Sequence, residues 1–200
     1  MASIEALNRA IFLLLNAGPD TPSWRIGLAT LCAERLIYLV PLLLLALWLW
    51  GGEARRSLAV RACVVALLAV GLNQIVGLLW SHPRPSVAGL GTTWIAHAAD
   101  SSFPSDHATV FAAVDIALLW AGELTLGAIG LVVGMGVAWA RVYLGVHFPL
   151  DMLGAVGTAA LAYGISTPLW RWWGQGLTRA LQQLYRKLMV FPIGRGWVKS

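Results

Sequence analysis

Five long apolar stretches dominate the pattern of hydrophobic and polar positions along the chain. They cover residues 28–50, 59–80, 107–122, 124–143 and 150–173. Each is about long enough to cross the roughly 30 Å hydrocarbon core of a bilayer as an α-helix. The pattern therefore predicts an all-α integral membrane protein built as a bundle of five to six transmembrane helices.

Both ends of the chain carry amphipathic patterns. Apolar side chains recur at helical spacing over residues 4–16, with Glu5, Asn8 and Arg9 between them. Residues 174–190 show a similar pattern, with leucines opposite basic side chains. These patterns predict terminal amphipathic helices that lie on opposite membrane surfaces. A sixth, tilted crossing by the first helix is the alternative.

The composition supports a membrane protein. Hydrophobic residues make up 58% of the 200 residues and charged residues 12%, against about 25% charged in a typical soluble domain. This length accommodates one membrane-embedded domain, residues 1–200, and no separate soluble domain. Cys32 and Cys63 belong near opposite ends of their spans, too far apart for a disulfide, which needs Cα atoms within about 7 Å.

The basic residues predict the orientation of the bundle. Most of them fall on one side of the predicted spans: Arg55, Arg56, Arg61, Arg171, Arg179, Arg186, Lys187, Arg195 and Lys199. The positive-inside rule predicts that this side is cytoplasmic, so the loops 81–106 and 143–147 face outward, toward the periplasm or the cell exterior. The net charge of +5 then reflects topology and contact with anionic membrane lipids, and nucleic acid is not an expected partner.

Polar residues at the outer ends of the spans could hold a phosphate group. Arg84 lies between two prolines and Arg141 ends the fourth span, and each guanidinium can bind two phosphate oxygens. Ser105 is a natural N-cap for the helix that begins near Asp106, and the free N–H groups of a helix N-terminus favour anions. We therefore predict these four residues at a phosphate site.

Two histidines could supply the chemistry of phosphoryl transfer. Pro149 suits the first turn of a helix, which brings Asp151 within reach of the His147 imidazole and fixes its tautomer. This arrangement predicts that His147 is a nucleophile and that His107 protonates the departing oxygen. Each polar residue also has an ordinary alternative, because a histidine, arginine or serine at a span end is often an interfacial residue or a helix cap.

A membrane transporter is the alternative from a different functional class. Ionisable or polar residues within or near spans often mark transport pathways, and this chain has Glu34, Arg35, Asn73, Gln74 and Asp115. A pathway needs polar residues along its whole length, whereas the strongest cluster here is confined to one membrane face. The sequence therefore favours an enzyme.

Three segments together resemble the signature of the type-2 phosphatidic acid phosphatase superfamily. They are Arg84-Pro85, Pro104-Ser105-Asp106-His107 and Arg141-x5-His147-x3-Asp151. The longer runs at residues 98–107, 138–147 and 194–198 resemble the bacterial undecaprenyl-diphosphate phosphatase branch of that superfamily. The resemblance implies a phosphohistidine at His147, a general acid at His107 and an orienting carboxylate at Asp151. It also implies three phosphate ligands and no metal or cofactor; the ligands are Arg84, Ser105 and Arg141.

The chain departs from the superfamily pattern at three positions. Gly77 stands where the first motif usually has lysine, Asp106 where the second usually has glycine, and Ala140 where the third usually has serine. The missing lysine removes one phosphate-binding cation. We predict that His82, two residues before Arg84, compensates as a phosphate ligand, with an ordinary interfacial role as the alternative.

The resemblance implies a specific reaction. The expected substrate is undecaprenyl diphosphate, a polyprenyl diphosphate lipid, hydrolysed to undecaprenyl phosphate and inorganic phosphate at the periplasmic face of a bacterial inner membrane. This reaction recycles the carrier lipid for cell-wall synthesis. Transfer of the phosphate to another lipid, or hydrolysis of phosphatidic acid or phosphatidylglycerophosphate, are the alternatives within the same chemistry.

Overall fold

The computed structural model describes residues 4–98 and 100–200, so Ala99, within the run 98–107, lies outside the described residues. The regular structure of the described part is helical, which confirms the all-α prediction. The helices are α1 (Ile4–Leu15), α2 (Ser23–Arg35), α3 (Leu39–Trp50), α4 (Glu53–Leu79), α5 (Asp106–Trp120), α6 (Leu124–Tyr143), α7 (Pro149–Leu188) and α8 (Val190–Gly194). A short 3₁₀ turn, Leu36–Tyr38, joins α2 to α3.

Four helical segments of the described chain are long and apolar enough to cross a membrane. They are Ser23–Trp50, Glu53–Leu79, Leu124–Tyr143 and Pro149–Leu188. These segments correspond to four of the five predicted spans and identify a multi-pass membrane protein.

The predicted span 107–122 corresponds to α5, which is the central helix of the bundle. With 15 residues it rises only about 22 Å, which is short for a crossing. It packs against α4, α6 and α7 and contributes buried side chains such as Phe111 and Leu118 to the main apolar core. Because neighbouring helices surround it, α5 runs between the two ends of the bundle with little contact with lipid.

Small residues let α5 and α6 approach closely. Gly130 and Gly134 of α6 face Asp115 and Phe111 of α5, and a Cβ atom at Gly134 would lie 3.1 Å from the Phe111 Cβ. Glycine at helix contacts allows close backbone packing where lipid provides no hydrophobic driving force. At the far end of this pair, Arg55 bonds Glu123 at 2.7 Å and ties the start of α4 to the start of α6.

The first helix lies across the α6–α7 turn. α1 has 12 residues and is about 18 Å long, too short for the tilted sixth crossing. The Phe12 ring is fully buried and meets Phe148 edge to face, with 5.1 Å between ring centroids. The Asn8 side-chain oxygen accepts a 3.0 Å hydrogen bond from the Leu150 N–H. These contacts fix α1 against the turn that carries His147.

The prediction of a separate amphipathic helix at 174–190 is wrong. The structure has one uninterrupted helix, α7, of 40 residues and about 60 Å, which continues well past the predicted end of the last span. Gly174 lies inside this helix, against the Trp170 ring. Pro168 also lies inside α7 without ending it. Cys32 and Cys63 are free thiols.

Candidate active site

The structure brings most of the predicted site residues together at one end of the bundle. Four elements meet there: the loop between α4 and α5, the start of α5, the end of α6 and the α6–α7 turn. They enclose a cavity of about 280 Å³ whose polar lining includes Arg84, His97, Asp100, Asp106, His107, Arg141 and His147.

The His147 imidazole is held by Asp151. Its Nδ1 atom lies 3.1 Å from Asp151 Oδ2, and that oxygen also accepts bonds from the Phe148 N–H at 2.8 Å and from the Ser102 hydroxyl. Pro149 opens α7, which places Asp151 one turn from the histidine. A carboxylate bonded to Nδ1 keeps the proton on that nitrogen and leaves Nε2 unprotonated, with its lone pair able to accept a hydrogen bond or attack phosphorus.

The free face of the imidazole is directed at two guanidinium groups. His147 Nε2 lies 3.2 Å from an Arg84 nitrogen and 3.4 Å from an Arg141 nitrogen. Burial holds the pKa of His147 well below its ordinary value, and the charges of Arg141 and Arg84 lower that pKa further. The imidazole is therefore neutral near pH 7, with a nucleophilic nitrogen where an anion would bind.

The two arginines are anchored differently. Arg84 is 4% exposed and donates to Asp100 at 2.8 Å, to the Val146 carbonyl at 3.0 Å and to the Ser101 carbonyl at 3.3 Å. Arg141 is also buried, but its Nε has no hydrogen-bond partner among the described residues. A buried guanidinium N–H without a partner is costly, so Arg141 retains capacity to bind an anion.

Ser105 occupies the N-cap position of α5, as the sequence predicts, but its side chain makes no capping bond. Its hydroxyl is fully buried and has no partner within the described part of the chain. The capping interpretation is therefore corrected: the backbone begins the helix, and the hydroxyl remains free close to the cavity.

Asp106 lines the cavity, but its carboxylate is already bonded. It accepts from Asn73 at 2.8 Å and from Gln74 at 3.2 Å, and Asn73 also donates to Thr109 at 2.9 Å. A carboxylate cannot donate to a phosphate and repels its charge. Asp106 thus ties the start of α5 to α4, and its assignment to the phosphate site stays a prediction.

His82 does not line the cavity, and its assignment as the compensating phosphate ligand stays a prediction. Its Nε2 is 3.5 Å from a Glu5 oxygen on α1, and its ring packs against Phe148 with 5.6 Å between centroids. The stiff Pro83 places Arg84 in the site but turns the preceding histidine toward α1.

The polar residues considered for a transporter lie in separate places. Asn73 and Gln74 bond Asp106 beside the cavity. Asp115 is buried between α5 and α6, whereas Glu34 and Arg35 are exposed where α2 meets the 3₁₀ turn. This distribution does not outline one path across the bundle.

Sequence reasoning missed three residues of the site. Ser102 is fully buried and bonds Asp151, and Asp100 pairs with Arg84. His97 lines the cavity, with its ring centroid 6.1 Å from that of His147. Ser102 and Asp100 fall within the run 98–107. This run carries the family resemblance, but the sequence alone does not show which residues Ser102 and Asp100 contact.

The chain is similar in sequence to two proteins named as undecaprenyl-diphosphatases. Over 98% of its length the chain is 40% identical to an Escherichia coli (strain K12) protein named "Putative undecaprenyl-diphosphatase YbjG", which it covers completely. Over 64% of its length it is 35% identical to undecaprenyl-diphosphatase BcrC of Bacillus subtilis (strain 168), of which it covers 66%.

A solved structure has the same fold. The crystal structure of Aquifex aeolicus LpxE matches 82% of this chain and 98% of its own, with a TM-score of 0.60 and 23% identity. The family model of the PAP2 superfamily matches residues 58–175, which include every predicted catalytic residue. The chain therefore belongs to the PAP2 superfamily.

Proposed function

We propose that this protein hydrolyses undecaprenyl diphosphate to undecaprenyl phosphate and inorganic phosphate through a phosphohistidine at His147. The observation that carries the proposal is the His147 imidazole, bonded to Asp151 on one side and facing Arg84 and Arg141 on the other. The names of the E. coli and B. subtilis relatives support this choice of lipid.

In the first step the two arginines and the Ser105 hydroxyl bind the terminal phosphate. His147 Nε2 attacks the phosphorus, an N–P bond forms, and the bond to the bridging oxygen breaks. His107, which lines the cavity at the start of α5, is protonated when the diphosphate anion is bound beside it and gives that proton to the bridging oxygen. Asp151 stabilises the imidazolium that develops on His147.

In the second step water resolves the phosphoenzyme. His107, now neutral, accepts a proton from the water as its oxygen attacks phosphorus. The N–P bond breaks, inorganic phosphate leaves, and both histidines return to their starting states. Placed at the periplasmic face, this cycle regenerates the carrier lipid for cell-wall synthesis.

Phosphate release by the purified protein in detergent tests the proposal. We expect release from undecaprenyl diphosphate to exceed release from phosphatidic acid and phosphatidylglycerophosphate, and loss by several orders of magnitude in His147→Ala. A preference for either glycerolipid would refute the lipid assignment. Loss of the terminal phosphate from the substrate only when a lipid acceptor is added, with the phosphate recovered on that acceptor, would indicate a phosphotransferase.

A further inference from the structure

One wall of the cavity lacks a cation. Gly77 of α4 lines the cavity where the superfamily's first motif usually places lysine. Arg84 and Arg141 both already approach His147 Nε2, the atom that attacks phosphorus, and so they serve the terminal phosphate. The other phosphate of a diphosphate needs further neutralisation, and His82 is not among the residues that line the cavity.

His97 is the cavity histidine that the proposed mechanism leaves unused. It belongs to the loop between α4 and α5, and its side chain is 28% exposed, so a ligand can reach it. Its Nδ1 lies 3.4 Å from the Ala98 carbonyl and 3.7 Å from Asp100 Oδ1. With Nδ1 on that side, Nε2 is the ring nitrogen available to a ligand.

We infer that His97 binds the diphosphate group of the substrate. It supplies the positive charge that the lysine of the first motif supplies in other members of the superfamily. The inference rests on the function proposed above and deepens it. Asp100 couples the two cationic positions, because the same carboxylate pairs with Arg84 and lies beside His97. Asp100 therefore links His97 to Arg84, which already faces His147.

Substrate binding would change the charge of His97. Burial lowers the pKa of His97, and the charges of Arg84 and Arg141 lower it further, so the ring is neutral in the empty cavity. A bound phosphate anion reverses this preference, and His97 takes up a proton as the diphosphate enters. The charged and titratable groups that face it are Arg84, Arg141, Asp100, His107 and His147.

A comparison of His97→Leu with His97→Lys tests the role of charge. On an isoprenyl diphosphate we expect His97→Leu to lose about ten- to a hundredfold in kcat/KM, the range of a charged hydrogen bond. His97→Lys should stay within about fivefold of the parent, because it restores a cation at similar size. The loss should be smaller on the corresponding isoprenyl monophosphate, which lacks the second phosphate.

Thr93→Ala is the matched control, since Thr93 is exposed in the same loop and does not line the cavity. In the His97→Leu background, Gly77→Lys should recover part of the lost activity. The lysine needs Ser101 to shift slightly, because a Cβ at Gly77 would lie 3.3 Å from the Ser101 Cβ. Recovery of kcat/KM supports the inference that His97 and a lysine at position 77 have the same role. No recovery in a folded double variant contradicts it.

Two further results would overturn the inference without contradicting the proposed function. One is a parent enzyme that cleaves undecaprenyl diphosphate while His97→Leu stays within twofold of it. The other is an equal loss in His97→Leu and His97→Lys. A parent that instead prefers a glycerolipid phosphate would refute the proposed function, and the inference with it, because that lipid carries no diphosphate for His97 to bind.

Discussion

At the residue scale, one carboxylate oxygen organises the catalytic turn. Asp151 Oδ2 accepts from the Phe148 N–H, the Ser102 hydroxyl and His147 Nδ1. The first two bonds fix the carboxylate, and the fixed carboxylate fixes the imidazole. The direction of the nucleophilic nitrogen therefore depends on Ser102, a residue that does not line the cavity.

Ser102→Ala is expected to lower kcat by about ten- to a hundredfold, because a hydrogen bond to a charged group is lost inside the protein. KM should change less than twofold, since Ser102 acts through Asp151 and does not reach the substrate. Ser86→Ala, at an exposed position of the same loop, should match the parent. An unchanged kcat in a well-folded Ser102→Ala variant would show that Phe148 alone suffices to hold the carboxylate.

At the element scale, α1 supports the site from behind. Asn16, just after α1, donates to the Thr92 and Tyr143 carbonyls at 2.9 and 3.0 Å, which joins the cavity loop to the end of α6. Phe12 packs on Phe148, the residue after His147. The amphipathic helix α1 therefore supports the cavity loop and the turn that carries His147, which a helix lying only on the membrane surface would not do.

Phe12→Ala should destabilise the protein by about 3–5 kcal/mol, because it empties a fully buried position. We expect a lower thermal midpoint in detergent and a lower kcat, since the turn that carries His147 loses its support. Leu14→Ala, on the same helix with Leu14 84% exposed, provides the comparison. Equal midpoints for the two variants would contradict the packing role of α1.

The helices were more predictable from the sequence than their contacts. Apolar runs locate α4 and α6 closely because each span must satisfy its backbone hydrogen bonds internally. The end of α7 is not predictable in the same way. Gly174 and the amphipathic leucines after it are compatible both with a helix that ends there and with one that continues. His147 and Asp151 were predictable because they lie four residues apart, whereas His97 and Ser102 reach His147 through loop geometry that leaves no periodic pattern.

At the scale of the whole molecule, the two ends of the bundle differ in chemistry. The end opposite the site is basic: Arg56 donates to the Trp48, Lys199 and Ser200 carbonyls, and Arg186 lies in the last turn of α7. A cavity of about 780 Å³ there is bordered by further basic side chains. The positive-inside rule predicts that this end is cytoplasmic and that the site end faces the periplasm.

Cysteine labelling tests that orientation. Ser86 is exposed in the loop beside Arg84, so Ser86→Cys in a background without Cys32 and Cys63 gives one thiol at the site end. We expect an impermeant thiol reagent to label it in intact spheroplasts. A cysteine at exposed Gln183, near the basic end of α7, should react only after lysis. The reverse pattern would place the site in the cytoplasm, and the lipid would then have to be dephosphorylated on that face.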